Sequence, residues 1–438
     1  MRRRSFLALA AKPQLSLATF EADITPPVGT PLCIGLIEPG KQLDDPLKAR
    51  GVVLRPAGDK PIVLCALDWI AVGNTSQDRW KSAIAKAVGT EPARVLVHTV
   101  HQHDAPGEDM SAEEISVSYR NGGVLQSTPF ARKALDNVVA AVRAARPQAV
   151  SHYGVGAAKV DRVASNRRIM GDDGKVIFGR MTACRNSPHC AAPEGVIDPF
   201  ARTISFWSGD RRVATLAYYA SHPMSYYAKG GISADFPGMA RAAQDNFTVY
   251  FTGAGANIGA GKYNDGAVPN RAALAERLGA GIRAAVQAEQ KHAVEKPRLT
   301  HVPTALPVRT GAGFSEEDQV KVLEDTKVIP RFRANASRYL AWLRLRKAGR
   351  LIDICGLHLG AAHVLHMPGE LFVEYQLASQ KELRNEFVTM AAYGDYGPMY
   401  IGTARAYAEG GYETGPVSRV APEVEEVLLS AQRKALRV

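Results

Sequence analysis

The sequence predicts an α/β fold, a mixed β-sheet core layered with helices. Three features carry that prediction. Short apolar runs of strand length alternate with longer, alanine-rich stretches of helical period along the chain. Glycine and proline turns separate them. Residues able to hold metal recur at the ends of the strand-like runs, where rigid strands meet exposed loops.

Residues 13–30 open as a strand and close on the rigid turn Ile24-Thr25-Pro26-Pro27-Val28-Gly29. Val52 to Leu54 and Ile62 to Leu67 read as short buried strands. Ser76 to Val88 reads as a helix with Trp80, Ile84 and Val88 on one face. The strand Val95 to His98 runs into His101-Gln102-His103-Asp104-Ala105-Pro106-Gly107, and a helix follows from Pro129 to Ala145. Strands at 202–207 and 212–219 lead to Ser221-His222-Pro223. A helix is expected after Phe236-Pro237-Gly238, then a strand at Val249 to Phe251 that ends on the glycine-rich run Gly253 to Gly261. Arg271 to Gln290 and Ala334 to Lys347 read as helices, and Ser315-Glu316-Glu317-Asp318 as a capping box. Strands at 351–359 and 363–367 precede Pro368-Gly369-Glu370, and a helix from Glu423 to Leu436 closes the chain, with Pro422 at its start. No internal repeat is visible, and the strands are expected in one mixed sheet system.

The chain has 438 residues, 46% hydrophobic and 22% charged, enough to bury a large core. That balance argues against disorder, collagen and a coiled coil. Lysine and arginine total 54 against 43 acids, a net charge of +11. The basic residues are scattered, with no aromatic-interleaved run, so nucleic acid is not expected as a partner. A solvated basic surface is one reading; peripheral contact with anionic lipid is the other. No stretch approaches the ~20 apolar residues of a membrane span.

The start Arg2-Arg3-Arg4-Ser5-Phe6-Leu7 looks like a twin-arginine export signal. Its apolar stretch, Phe6 to Ala11, is short against the roughly 7–15 residues usual for such signals. Residues 1–17 are therefore read as a basic N-terminal segment, either a shortened signal or an uncleaved start. The first places the protein in the periplasm or outside the cell, the second in the cytoplasm. Of five cysteines, Cys65 and Cys355 read as buried small hydrophobes. Cys184 and Cys190 flank a loop containing His189; a disulfide and two free thiols both remain open, and the spacing fits no zinc motif well.

His101-x-His103 is the first chemical signal. In an extended segment residues two apart share a side, which aims both imidazoles into one cavity and His98 away from it. Two surface histidines are the bland alternative. His222 follows an apolar strand, where a lone histidine is more often structural. Glu370 is presented at the end of a buried strand, where a carboxylate needs a partner or a metal; a solvated turn is the alternative. His363 and His366 would face opposite sides of that strand, and His366 could support a ligand from behind. Tyr393, Tyr396, Tyr400, Tyr407 and Tyr412 line either a substrate trough or a packed loop. The glycine-rich run lacks the Gly-Lys-Ser/Thr ending of a phosphate loop, so no nucleotide site is expected.

Taken in order, these motifs resemble the catalytic domain of the neutral/alkaline ceramidases. The resemblance rests on His101-x-His103 with Ala105-Pro106-Gly107, Ser221-His222-Pro223, Pro368-Gly369-Glu370 and the run from Tyr400 through Tyr407 to Tyr412-Glu413. Ala22 to Gly29, Asn166-Arg167-Arg168 and Ser233 to Gly238 add to it, so that it covers most of residues 18–415. The resemblance implies one metallohydrolase domain over residues 18–438, a short form without the C-terminal immunoglobulin-like domain of longer ceramidases. It implies Zn2+ held by His101, His222, Glu370 and Tyr400, with His103 as general acid/base and Arg167 and Tyr412 holding the substrate carbonyl or oxyanion. A histidine titrating near neutrality would suit the proton transfer.

Two departures matter. The family's candidate serine falls on Gly259, which excludes a serine acyl-enzyme there but leaves metal-activated water unaffected. Asp104 adds a carboxylate expected to alter the pKa of His103. The 181–192 insert is not explained by the resemblance. The expected function is a zinc-dependent hydrolase cleaving an N-acyl bond of a lipid or small-molecule substrate, in sphingolipid metabolism if the substrate is ceramide. The alternatives are an esterase or a hydrolase of a small non-lipid substrate, and a non-catalytic binding protein on the same fold.

Overall fold

The computed structural model describes residues 13–125 and 128–437. The export-signal reading falls on residues outside them.

One building plan occurs three times. In the first sheet Leu15–Asp23, Lys48–Pro56 and Ile62–Leu67 pair antiparallel; the helix Thr75–Val88 then crosses over and Val95–Thr99 joins parallel to Ile62–Leu67. In the second, His152–Lys159, Phe200–Ser208 and Arg211–Tyr219 pair antiparallel, and Thr248–Thr252 joins parallel after the helix Asp235–Ala242. In the third, Arg298–Thr304, Ile352–Leu359 and Ala362–His366 pair antiparallel, and Phe387–Ala391 joins parallel after the helix Val373–Glu382. Gln148–Ala149 and Gln290–Ala293 extend the first two sheets at their far edges. The sequence reading expected one sheet system and no repeat. A strand-like run signals pairing but not its partner, so three separate sheets of one plan leave no local mark.

All six residues of Ile62–Leu67 are buried, as befits a strand covered on both faces. Their alternation splits two cores. Ile62 and Leu64, with Val52 and Leu54, pack toward Ile204, Leu216 and Val249 of the second sheet and Leu357 and Val364 of the third. Val63 and Cys65 pack under Trp80, Ile84 and Val138 of the covering helices. A third core sets Ile354 and Leu365 against Trp342 and Leu428 of the helices Pro330–Lys347 and Val424–Leu436. Each such apolar side chain contributes about 1.5–3 kcal/mol relative to exposure.

The helix expected after Phe236-Pro237-Gly238 already starts at Asp235, and the one expected from Ala334 starts at Pro330. Proline is tolerated in a first helical turn, where the missing N–H has no intrahelical partner to lose. The closing helix starts at Val424, with Glu423 rather than Pro422 flanking it. The capping box at Ser315 forms, with Asp318 N donating to Ser315 Oγ at 3.1 Å. Cys184 and Cys190 are joined in a disulfide, and Cys33, Cys65 and Cys355 are buried free thiols. Among the described residues no helix is long and apolar enough to cross a membrane.

The parallel strands of the three units meet at their C-terminal ends. Thr252 Oγ1 donates to Val100 O at 2.8 Å, which ties the second unit to the first. Ala392 N donates to Thr252 O at 2.9 Å, tying third to second, and Thr99 N donates to Tyr393 O at 2.9 Å, tying first to third. The chain segments leaving this junction carry the histidines, the glutamate and the tyrosines singled out in the sequence.

Candidate metal centre

His101 leaves the strand Val95–Thr99 with φ at 76°. The segment is therefore not extended, and His101 and His103 do not converge by strand alternation. A turn brings their ring centroids to 5.0 Å at 81°. His101 is fixed by its backbone N–H, which donates to Trp69 O at 2.9 Å, and by Nδ1, 2.7 Å from Ile70 O. His222 follows the strand Arg211–Tyr219; its backbone N–H donates to Ile258 O at 3.1 Å and its Nδ1 lies 3.2 Å from Gly255 O. Glu370 comes off the turn Pro368-Gly369. Gly369 has φ at 57°, and a Cβ there would lie 2.5 Å from Met399 O, so the turn requires glycine. Glu370 then pairs in register with Tyr400.

These three turns bring His101 Nε2 to 3.2 Å and His222 Nε2 to 3.6 Å from Glu370 Oε2, with all three side chains 1% exposed. A carbonyl only accepts, so each Nδ1 carries a proton, and in the neutral ring each Nε2 presents a lone pair. Arg167 Nη1 also lies 3.4 Å from His222 Nδ1, but it donates to Ala256 O at 2.9 Å and does not displace the Gly255 contact. Glu370 Oε1 accepts from the Tyr396 hydroxyl at 2.6 Å, which leaves Oε2 free. Three acceptor atoms thus face one another with no donor between them. His101 Nε2 and Glu370 Oε2 are buried without any hydrogen-bond partner. A cation resolves that arrangement, and an N/O donor set of this kind fits a divalent metal.

His103 stands beside this group: the donor atoms of His101, His103 and His222 lie within 4.8 Å of one another. Its Nδ1 is buried without a partner. Burial, then the neighbouring His101 and Arg167, hold its pKa well below the ordinary range. That differs from the near-neutral titration expected from the sequence; His103 is a neutral base here. Asp104 does not bear on it. Asp104 accepts from Arg271 Nη2 at 3.1 Å and from Ala228 N at 3.0 Å, and burial raises its pKa to about 6.

Arg167 is 1% exposed. Nη1 also donates to the Tyr400 hydroxyl at 3.4 Å, and Nε faces Glu413 Oε1 at 3.4 Å. Burial opposes its charge, but Tyr400, Glu413 and Glu370 more than offset this and raise its pKa. Tyr400 stacks on His222 with centroids 6.3 Å apart at 12°. Tyr412 is half exposed, its ring 5.6 Å from that of Tyr400 and 5.9 Å from the Arg167 guanidinium. Of the other tyrosines, Tyr393 stacks on His101 at 4.4 Å, and Tyr407 is tied to Ser418 Oγ at 2.8 Å as a packing residue. The sequence reading gave Tyr393 and Tyr396 no individual role. Only their membership of the tyrosine run marked them. His98 and His366 lie behind the site, paired to each other at 2.9 Å, and His366 supports no ligand directly. Gly259 lies against Arg167, where a Cβ would stand 3.4 Å from Cγ, and Met181 of the insert contacts Arg167 Nη2 through Sδ at 3.1 Å. Non-glycine residues with positive φ gather here: His101, Tyr393 and Met399 at 76°, 59° and 53°. Such strain concentrates where a fold holds side chains for function.

No family model matches the chain, and no curated protein matches it. Solved structures do. The neutral ceramidase from Pseudomonas aeruginosa superposes with a TM-score of 0.68 at 16% identity, covering 96% of this chain and 73% of that one. A ceramidase complexed with C2 gives 0.67 at 16% identity, over 97% and 74%. The chain has a neutral ceramidase-like fold.

Proposed function

We propose that this chain is a zinc-dependent hydrolase that cleaves an N-acyl amide bond with water. The observation that carries the proposal is the set of three facing acceptors, His101 Nε2, His222 Nε2 and Glu370 Oε2, buried with no donor among them. With the Tyr400 hydroxyl they would hold the ion. Zinc supplies Lewis acidity there, which polarises a carbonyl and makes water nucleophilic near neutral pH.

His103, neutral at pH 7, takes a proton from the attacking water as base and passes it to the leaving nitrogen as the C–N bond breaks. The water oxygen remains on the acyl carbon as carboxylate. In this reading Arg167 and Tyr412, the guanidinium 5.9 Å from the ring, donate to the carbonyl oxygen as it gains charge; one such donor is worth about 2.7–4 kcal/mol. Tyr396 holds Glu370, and the carbonyls of Ile70 and Gly255 hold the two histidines in the tautomer that binds metal. Gly259 leaves no serine in that position for an acyl-enzyme. The amide is preferred because the structural neighbours are ceramidases by name. The disulfide Cys184–Cys190 supports an exported protein, since such bonds persist outside the reducing cytoplasm.

Elemental analysis of the purified protein and of Glu370→Gln tests the reading. About one zinc per chain is expected, lost in the variant together with N-acyl hydrolysis. Equal metal content in both proteins, or none in either after zinc is added, rejects it.

A further inference from the structure

Arg338 and Arg419 are buried guanidinium groups with unpaired N–H donors. Each is 2% exposed. Arg419 Nη1 donates to Arg338 O at 3.2 Å and to Gly397 O at 3.0 Å, which fastens the two residues together. Arg338 Nη2 donates to Asn335 Oδ1 at 2.8 Å. Arg338 Nε, Arg338 Nη1 and Arg419 Nη2 are buried and have no acceptor. Among the described residues neither guanidinium forms an ion pair. Asp109, whose charge bears on both, is already committed: Oδ1 accepts from Ser111 Oγ at 2.8 Å and Ala112 N at 3.1 Å, and Oδ2 from Asn74 Nδ2 at 2.8 Å.

An arginine does not readily shed its proton when buried, so an unpaired pair of this kind is strongly unfavourable unless an anion completes it. Burial and then Arg338 push Arg419 down to about 9. The pair also sits beside the metal centre. Arg419 N donates to Pro398 O at 3.3 Å and Tyr400 N to Val417 O at 3.4 Å, so Arg419 stands opposite Pro398, two residues before Tyr400. Gly397, whose carbonyl accepts from Arg419, directly follows Tyr396, and the Tyr396 hydroxyl holds Glu370.

We propose that Arg338 and Arg419 form an anion-binding subsite beside the metal centre, and that the substrate carries a carboxylate or phosphate held there while its N-acyl bond meets the metal ligands. The inference rests on the hydrolase reading for the second half only. Three unpaired N–H donors on two guanidinium groups suit the oxygens of either anion, and a neutral head group would leave them unpaired. This would set the chain's substrate apart from neutral ceramide.

Anion binding is read first, by thermal unfolding of the full chain in chloride-free buffer with sodium acetate or inorganic phosphate added. A saturable rise is expected with at least one of them, and the larger response identifies carboxylate or phosphate. The rise should persist in Glu370→Gln, which separates it from anion binding at the metal. It should vanish in Arg338→Met and Arg419→Met. Arg338→Lys keeps the charge but not the fork, should weaken the anion about tenfold, and serves if the methionine variants do not fold. No response in the wild type, or an unchanged response in the arginine variants, overturns the subsite. Matched N-acyl substrates, with and without a carboxylate or phosphate, are then compared. A kcat/KM preference of about tenfold or more for the anionic partner is expected, shrinking in Arg338→Lys. Hydrolysis without preference overturns the substrate assignment. Anion binding with no hydrolysis of any N-acyl compound rejects the hydrolase reading and leaves the subsite standing.

Discussion

His101 and His222 each commit Nδ1 to a backbone carbonyl, and Glu370 commits Oε1 to Tyr396, so what remains of each side chain points at the other two. Residue types show part of this in the sequence. The histidines, the glutamate and the tyrosines are visible, and the resemblance orders them. The carbonyls of Ile70 and Gly255 are not visible, because a backbone acceptor has no residue signature. Tyr396→Phe removes only the hydroxyl on Glu370. It should weaken zinc about 10–100-fold in competition with a chelator while leaving the thermal midpoint nearly unchanged. Unaltered zinc affinity would show that Glu370 is positioned without it. His103 is the residue whose role is most sharply divided, since its donor atom lies within the histidine cluster. As the base, His103→Gln should keep its zinc and lose about 10²–10⁴ in kcat. Loss of the metal in that variant would make His103 a ligand instead. Arg338 and Arg419 escaped sequence reading because a basic residue on a helix or loop ordinarily faces water.

The long elements were legible because each buried run has a period. Ile62–Leu67 is apolar without a break since both its faces are covered, and Thr75–Val88 shows Trp80 and Ile84 one helical turn apart. The elements that place the ligands are too short for any period. Glu370–Leu371 pairs with Tyr400–Ile401 over two residues, and that bridge puts glutamate beside tyrosine. Its register depends on the turn before it. Gly369→Ala would force a side chain into a left-handed φ and against Met399 O, a backbone atom that cannot swing aside. The strain is about 1–3 kcal/mol, and its relief moves Glu370. The variant should fold with a lowered thermal midpoint and bind less than one zinc per chain. Full metal occupancy in a destabilised Gly369→Ala would show that the turn serves stability alone.

At the scale of the whole molecule, three units of one plan share an apolar core and are tied by hydrogen bonds where their parallel strands end, and one further link at that junction titrates. His98 Nδ1 lies 2.8 Å from Ala392 O, so it carries the proton and Nε2 accepts from His366 Nδ1 at 2.9 Å. Both rings must be neutral for this link between the first and third units. Burial lowers His98 to about 4 and, together with His98, holds His366 well below its usual value. A histidine depressed in the folded state contributes stability that is complete above its unfolded pKa, near 6.5, and is lost as pH falls from there toward the folded value. Each such ring adds up to about 1.4 kcal/mol per pH unit to the decline. Asp104, raised to about 6 by burial, acts the other way over part of the same range, so the wild-type slope alone is ambiguous. His366→Asn resolves it. Asparagine can keep a donor near the Nδ1 position for His98 but has nothing to protonate, and Asp104 is common to both proteins. Urea unfolding between pH 7 and 4 should therefore show the variant losing stability less steeply than the wild type. Parallel curves would mean that the ring of His366 takes up no proton on unfolding, and that the junction of the three units is not where acid acts.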